Sequence, residues 1–209
     1  MKLQHIHDLV VKVPEGILTT KQIMQPLRRG FRRYPWIRFE QRTLKQQEAV
    51  GFHDGMLITG CFEHDWCDRP RCVVTLSFYS EKQTKTVFFV GKLRKRILFD
   101  IFATIAHERV HLLQSRKAKS CPRRYRVNGS DQAKKMDLQY YGSDIEIDAF
   151  AQTSVLEDRF GMKGEIMERY RQLFTPDDWR FKRFLKKKFQ YNLQLPNINS
   201  TICDISKNI

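Results

Sequence analysis

Apolar residues recur along the chain with two different periods, and the change of period divides it. Between Thr19 and Arg33, Ile23, Met24, Leu27 and Phe31 fall at helical spacing, and Thr19 or Thr20 offers an N-cap. Pro26 lies inside this segment and predicts a kink or a late start, and Tyr34-Pro35 ends it. From Trp36 the period shortens. Trp36 to Gln41 alternates in part and reads as a strand; Met56 to Phe62, after the turn signal His53-Asp54-Gly55, reads as a second. Cys72 to Tyr79 is a third strand and Thr86 to Val90 a fourth. The short polar connection Ser80 to Thr84 predicts that these last two are antiparallel neighbours. Residues 1–18 show no clear period, and Leu9-Val10-Val11 with Val13 reads as a short strand ending at Pro14.

Gly91 breaks the strand pattern, and a helix is predicted from about Leu93 to Lys117, with Ile101, Ile105, Leu112 and Leu113 on its apolar side. Lys117 to Asp137 is basic, polar and aperiodic, with Cys121-Pro122 and Asn128-Gly129 as turn signals, and reads as a loop. Ser143 is a good cap for a helix from Asp144 to about Phe160. Another helix is predicted over about Glu165 to Phe174. Thr175-Pro176-Asp177-Asp178 then reads as the start of a helix reaching about Tyr191. That helix carries Trp179, Phe181, Phe184, Leu185 and Phe189 between lysines and arginines. It reads first as an amphipathic helix docked on the core, with nucleic-acid or partner binding as the alternative. The last dozen residues look like a tail. The fold class expected is α+β: a small, mostly antiparallel sheet packed on the 93–117 helix, with additional C-terminal helices. Residues 1–174 form one domain on this reading, with 175–209 a basic helix and tail packed on it.

Composition narrows the partners. The 209 residues are 41% hydrophobic with 15 phenylalanines, enough for a sizeable core. No apolar run approaches a membrane span and no leader-like apolar segment follows Met1, so an unexported cytoplasmic protein with no membrane partner is expected. Five irregularly spaced cysteines fit reduced thiols better than a disulfide framework. Thirty-eight Lys and Arg against 23 Asp and Glu give a net charge of +15, which favours non-specific contact with nucleic acid or an acidic partner. A solvated basic surface is the alternative, and the basic face of the first helix (Lys21, Arg28, Arg29, Arg32, Arg33) reads that way.

The chemistry concentrates in His107-Glu108-Arg109-Val110-His111. Two histidines four apart on a helix stand about 5–6 Å apart at their β-carbons. Their imidazole nitrogens can therefore reach one zinc ion at about 2.0–2.1 Å. Glu108, beside the first ligand, can act as general base toward water on that ion. A catalytic zinc needs a third protein ligand. The other histidines are His5, His7, His53 and His64, all upstream, so a downstream histidine ligand is excluded. The remaining candidates are acids in Asp144-Ile145-Glu146-Ile147-Asp148-Ala149. Glu146 and Asp148 differ by about 200° around a helix, so both cannot face one ion. Glu146, with the longer reach and Ala149 on its side, is favoured over Asp148. Asp148 or Asp144 is left to accept a ring N–H of a ligand histidine. Tyr140, Tyr141, Arg123, Arg124 and Arg126 are candidate oxyanion donors, Tyr141 foremost. Cys61, His64, Cys67 and Cys72 form a weaker candidate for a structural zinc site, since their spacing fits no common finger. His5-x-His7 at strand spacing is weaker still.

His107-Glu108-x-x-His111 with the downstream acidic helix Glu146-x-Asp148-Ala149-Phe150-Ala151 resembles the gluzincin arrangement of zinc metallopeptidases. More narrowly, it resembles small HExxH proteins encoded by tailed bacteriophages, in which a Tyr-Tyr-Gly-x-x-Glu-Ile-Asp-Ala-type segment follows the motif helix. It is similar, more distantly, to ImmA/IrrE-type peptidases. The likeness covers about residues 55–160; the Asn-Glu-x-x-x-Asp form of many gluzincins is absent, position 150 being Phe150. The resemblance implies a zincin-like fold, a Zn2+ cofactor held by His107, His111 and Glu146, and Glu108 as base. It also implies a protein or peptide substrate, met in a host cytoplasm or a virion if the chain is phage-encoded. Two further readings stand beside this one. One is a structural or binding protein on a zincin scaffold with incidental catalysis. The other is a nucleic-acid module, which leaves the motif unexplained.

Overall fold

The computed structural model describes residues 2–43, 56–64, 72–80, 86–117 and 132–195. The expected turns at 53–55 and 81–84, the segment 118–131 with Arg123, Arg124 and Arg126, and the tail from 198 lie outside the described residues. The described chain is α+β, with seven helices and five strands among those residues. It divides into two units, residues 1–108 and 109–197.

In the first unit the chain starts as helix α1 (Leu3–Val10), not the strand expected from Leu9-Val10-Val11. Leu3, Ile6, His7, Leu9 and Val10 are its buried positions, a helical face that the polar His7 disguises. His5 is exposed on this helix while the buried His7 ring packs edge-on against Phe102 at 5.8 Å, so the two do not form a pair. Strand β1 (Gly16–Thr19) leads into α2 (Thr20–Gly30). Thr19 caps α2 with a full capping box: its hydroxyl accepts from Gln22 N at 3.3 Å and its own N–H donates to Gln22 Oε1 at 2.8 Å. The helix starts at once and runs through Pro26.

Strands β2 (Ile37–Thr43), β3 (Met56–His64), β4 (Cys72–Ser80) and β5 (Thr86–Phe89) follow the predicted positions. Their pairing corrects the expectation. β4 lies between β2, in parallel, and β3, antiparallel, so both of its edges are taken. β5 pairs instead with β1, antiparallel, in a separate two-stranded sheet. The 44–55 connection separates β2 from β3, and β4 pairs with both, which strand spacing alone does not reveal. Cys61 and His64 are on β3, with His64 opposite Cys72 of β4; Cys67 lies outside the described residues.

Gly91, with φ +50°, turns the chain from β5 into α3 (Gly91–Lys117) in a conformation that side chains with a β-carbon rarely adopt. The buried Arg94 fastens the first turns of α3 by donating to the carbonyls of Val13 at 2.9 Å and Val11 at 3.2 Å. Ile97, Leu98, Phe99, Ile101, Phe102 and Ile105 are all buried, so this is a core helix over its middle turns. Leu113, expected on the apolar side, is exposed.

The second unit is helical. α4 (Gln132–Tyr141) occupies the end of the segment expected to be a loop; Gln, Ala, Lys, Met and Leu there are strong helix formers without an obvious apolar stripe. α5 (Asp144–Arg159), α6 (Glu165–Leu173) and α7 (Trp179–Gln194) follow. Asp178, not Thr175, caps α7 by accepting from Arg180 N at 2.8 Å, because residues 175–178 first close a turn of their own. Ile147, Ala151, Tyr170, Phe174, Phe181 and Phe184 form the core of this unit, with Tyr170 stacked on Phe184 at 3.9 Å between centroids. Alongside these apolar residues α7 carries Arg183, Lys187 and Lys188, which pair with Asp144 (3.1 Å), Asp148 (3.0 Å) and Asp158 (2.8 Å) of α5. α7 is thus docked through both its apolar and its basic residues. Among the described residues no helix is long and apolar enough to cross a membrane.

Candidate metal centre

Two helices supply the candidate ligands. The cut between the two units falls inside α3, after Glu108, but α3 is one unbroken helix across that point. The helix itself therefore sets His107 one turn before His111. Both imidazoles are buried, as is Glu108 at 7% exposure. α5 brings the acid. Ser143 caps α5 by accepting from the backbone N–H of Glu146 at 3.3 Å, so the cap fixes the turn that carries Glu146. The turn leading into this cap is tight. A β-carbon on Gly142 would stand 2.5 Å from the Leu138 carbonyl oxygen and 2.7 Å from Arg180 Cδ.

His107, His111 and Glu146 each offer one ligand atom, and these atoms lie within 4.8 Å of one another. His111 Nε2 and Glu146 Oε2 are 3.4 Å apart. Two donor atoms about 2.1 Å from one ion at a tetrahedral angle stand about 3.4 Å apart, so this edge fits zinc without rearrangement. Two imidazoles and one carboxylate are also a donor set that zinc takes in hydrolases. The acids sort as the helical angle requires. Glu146 joins the histidines, while Asp148 faces Lys187 and hydrogen-bonds with Tyr191, and Asp144 is exposed against Arg183. Burial and the nearby Asp148 carboxylate push the Tyr191 hydroxyl up to about 12, so it stays protonated and can donate to that acid.

Gln114 is the residue that sequence reasoning passed over. Its Oε1 lies 3.0 Å from His111 Nδ1, and its Nε2 donates to the Ile145 carbonyl at 3.1 Å and toward Asp148 Oδ2 at 3.4 Å. An acid was expected in that place. Asp148 takes part only through the Gln114 amide. The available signal was the i, i+3 spacing from His111 on the same helix face.

Tyr141 is built into aromatic packing. Its ring stacks on Phe150 at 4.6 Å, its carbonyl accepts from the Tyr170 hydroxyl at 2.7 Å, and Arg169 donates to its own hydroxyl. Arg169 in turn pairs with Asp137. Burial pushes the Tyr141 hydroxyl above its ordinary range. Tyr140 is about half exposed and meets Tyr141 and Phe150 edge-on. No family model matches the chain, and a search of curated proteins and of solved structures gave no match.

Proposed function

We propose that the chain is a zinc-dependent metallopeptidase of zincin-like architecture, hydrolysing peptide bonds of a protein substrate. One observation carries the reading: His107, His111 and Glu146, from two helices, offer ligand atoms within 4.8 Å of one another, beside a buried Glu108. When bound, zinc supplies Lewis acidity and lowers the pKa of water toward about 7. The chain's own residues do the rest. Glu108, next to His107 and enclosed from solvent, takes a proton from the attacking water and returns it to the leaving amine. Gln114 and Ser143 hold His111 and the Glu146 turn in place. Metal analysis of the purified chain is expected to find about one zinc per molecule, lost in His107→Ala. Peptide cleavage by the zinc-loaded chain should fall steeply in Glu108→Gln. A wild-type chain that takes up no zinc ends this reading.

A second reading, contact with a polyanion, rests on α2 and the turn after it, where Lys21, Arg29, Arg32 and Arg33 are all exposed. Its mark is a DNA mobility shift that weakens steeply as salt rises. No shift at low salt removes it.

A further inference from the structure

We propose that Gln114 is a positioning residue that fixes the tautomer of His111 and fastens α3 to α5. The tautomer argument stands without a metal; only its effect on affinity rests on the metallopeptidase reading.

The orientation of the Gln114 amide follows from its surroundings. The Ile145 carbonyl, 3.1 Å away, can only accept, so the amide NH2 must face it. Asp148 Oδ2, at 3.4 Å, is a second acceptor on the same side. The amide oxygen is thereby turned toward His111 Nδ1 at 3.0 Å. An oxygen accepts, so Nδ1 must carry the ring proton. In the neutral imidazole this is the single N–H, and Nε2 then keeps its lone pair. Nε2 is the ring atom 3.4 Å from Glu146 Oε2. Flipping the amide would set its oxygen against a carbonyl and a carboxylate, and its NH2 against the ring. Asp148 is itself held by Lys187 at 3.0 Å and by Tyr191, so the amide's second acceptor does not swing away. The sequence His111, Gln114, Asp148, Lys187 thus runs from α3 through α5 to α7, and each member orients the one before it.

The test is ring-nitrogen NMR of the full chain after chelator treatment, at mildly alkaline pH, with zinc titration alongside. The wild type is expected to show His111 protonated at Nδ1. In Gln114→Leu the signal should move toward the Nε2–H form, and zinc affinity should fall roughly 10–100-fold, the usual cost of losing such a partner. Gln114→Glu keeps an acceptor for Nδ1 but sets a carboxylate against Ile145 O and Asp148. It should hold the tautomer while lowering Tm. A wild-type neutral His111 whose single ring proton sits on Nε2 overturns the proposal, and that measurement needs no variant. So does a Gln114→Leu chain that loses stability with its tautomer unchanged, since that is a merely structural role. A Gln114→Leu chain binding zinc as tightly as wild type overturns it too. If the wild type takes up no zinc, the metallopeptidase reading fails and the tautomer alone decides the role of Gln114.

Discussion

Lys187 Nζ stands 3.0 Å from Asp148 Oδ1, and this ion pair separates two acids that the sequence leaves in competition. Glu146 and Asp148 are neighbours in sequence, but about 200° apart around α5. Asp148 is committed to Lys187, Tyr191 and the Gln114 amide, whereas Glu146 is grouped with the two histidines. Glu146→Gln should therefore abolish stoichiometric zinc binding. Asp148→Asn should retain zinc with a loss of at most about 100-fold in affinity, as for an outer partner. Equal losses in calorimetric titrations of the two variants would sink this assignment of the acids.

Glu108 is buried beside His107 but is not one of the three grouped candidate positions. Glu108→Gln keeps the shape and removes the carboxylate proposed as base. Zinc content should stay at the wild-type level while kcat for peptide cleavage falls by about 10²–10⁴, the range for a lost general base. Loss of zinc together with activity would make Glu108 a ligand or a fold residue instead.

Gly142 precedes the cap of α5, and a β-carbon there meets both a side chain and a backbone oxygen. Arg180 can move aside, but the Leu138 carbonyl at 2.5 Å belongs to α4. Gly142→Ala is expected to lower stability by about 1–3 kcal/mol, as overpacking does. It should also weaken zinc binding, because Ser143 next to it holds the Glu146 turn. Urea denaturation checks the first point. An alanine variant as stable as wild type refutes it.

Near the end of α5, burial raises the Glu157 carboxyl to about 7, against a partial offset from the Ile166 N–H that it accepts at 3.3 Å. Glu165 and Asp158 push the same way as burial, and Lys188 opposes them. The folded value lies above the unfolded one, so the stabilising contribution is complete below about 4.5 and is lost as pH rises through about 7. Relative to wild type, Glu157→Gln should gain stability between these limits, by on the order of 3 kcal/mol at the alkaline end. Parallel pH–stability curves for the two proteins would show that Glu157 titrates normally.

Much of the fold is readable where a local rule decides it. The Thr19 cap of α2, the Ser143 cap of α5 and the long α3 need only neighbours in sequence, and the strands appear where side chains alternate. What is not readable depends on distant partners. α1 was hidden because a buried histidine occupies one of its core positions. β5 cannot pair with β4 because both edges of β4 are filled, a fact that belongs to the sheet and not to either strand. The helical angle separates Glu146 from Asp148 before any coordinates are known. The same angle puts Gln114 on the His111 side of α3, but its role depends on a carbonyl and a carboxylate contributed by α5.

The pairing of Gly16–Thr19 with Thr86–Phe89 also bears on how the chain folds. Residues 20–85 must be threaded between two short strands before either gains a hydrogen bond, so closing that loop costs entropy before any contact repays it. Within residues 109–197 the main helix pairing, α5 with α7, has to close only over α6 and its connections, a shorter loop than 20–85. Non-local closure of this kind slows folding. Stopped-flow refolding should therefore give a slow phase that is sensitive to substitutions in residues 16–19 and indifferent to those in α7.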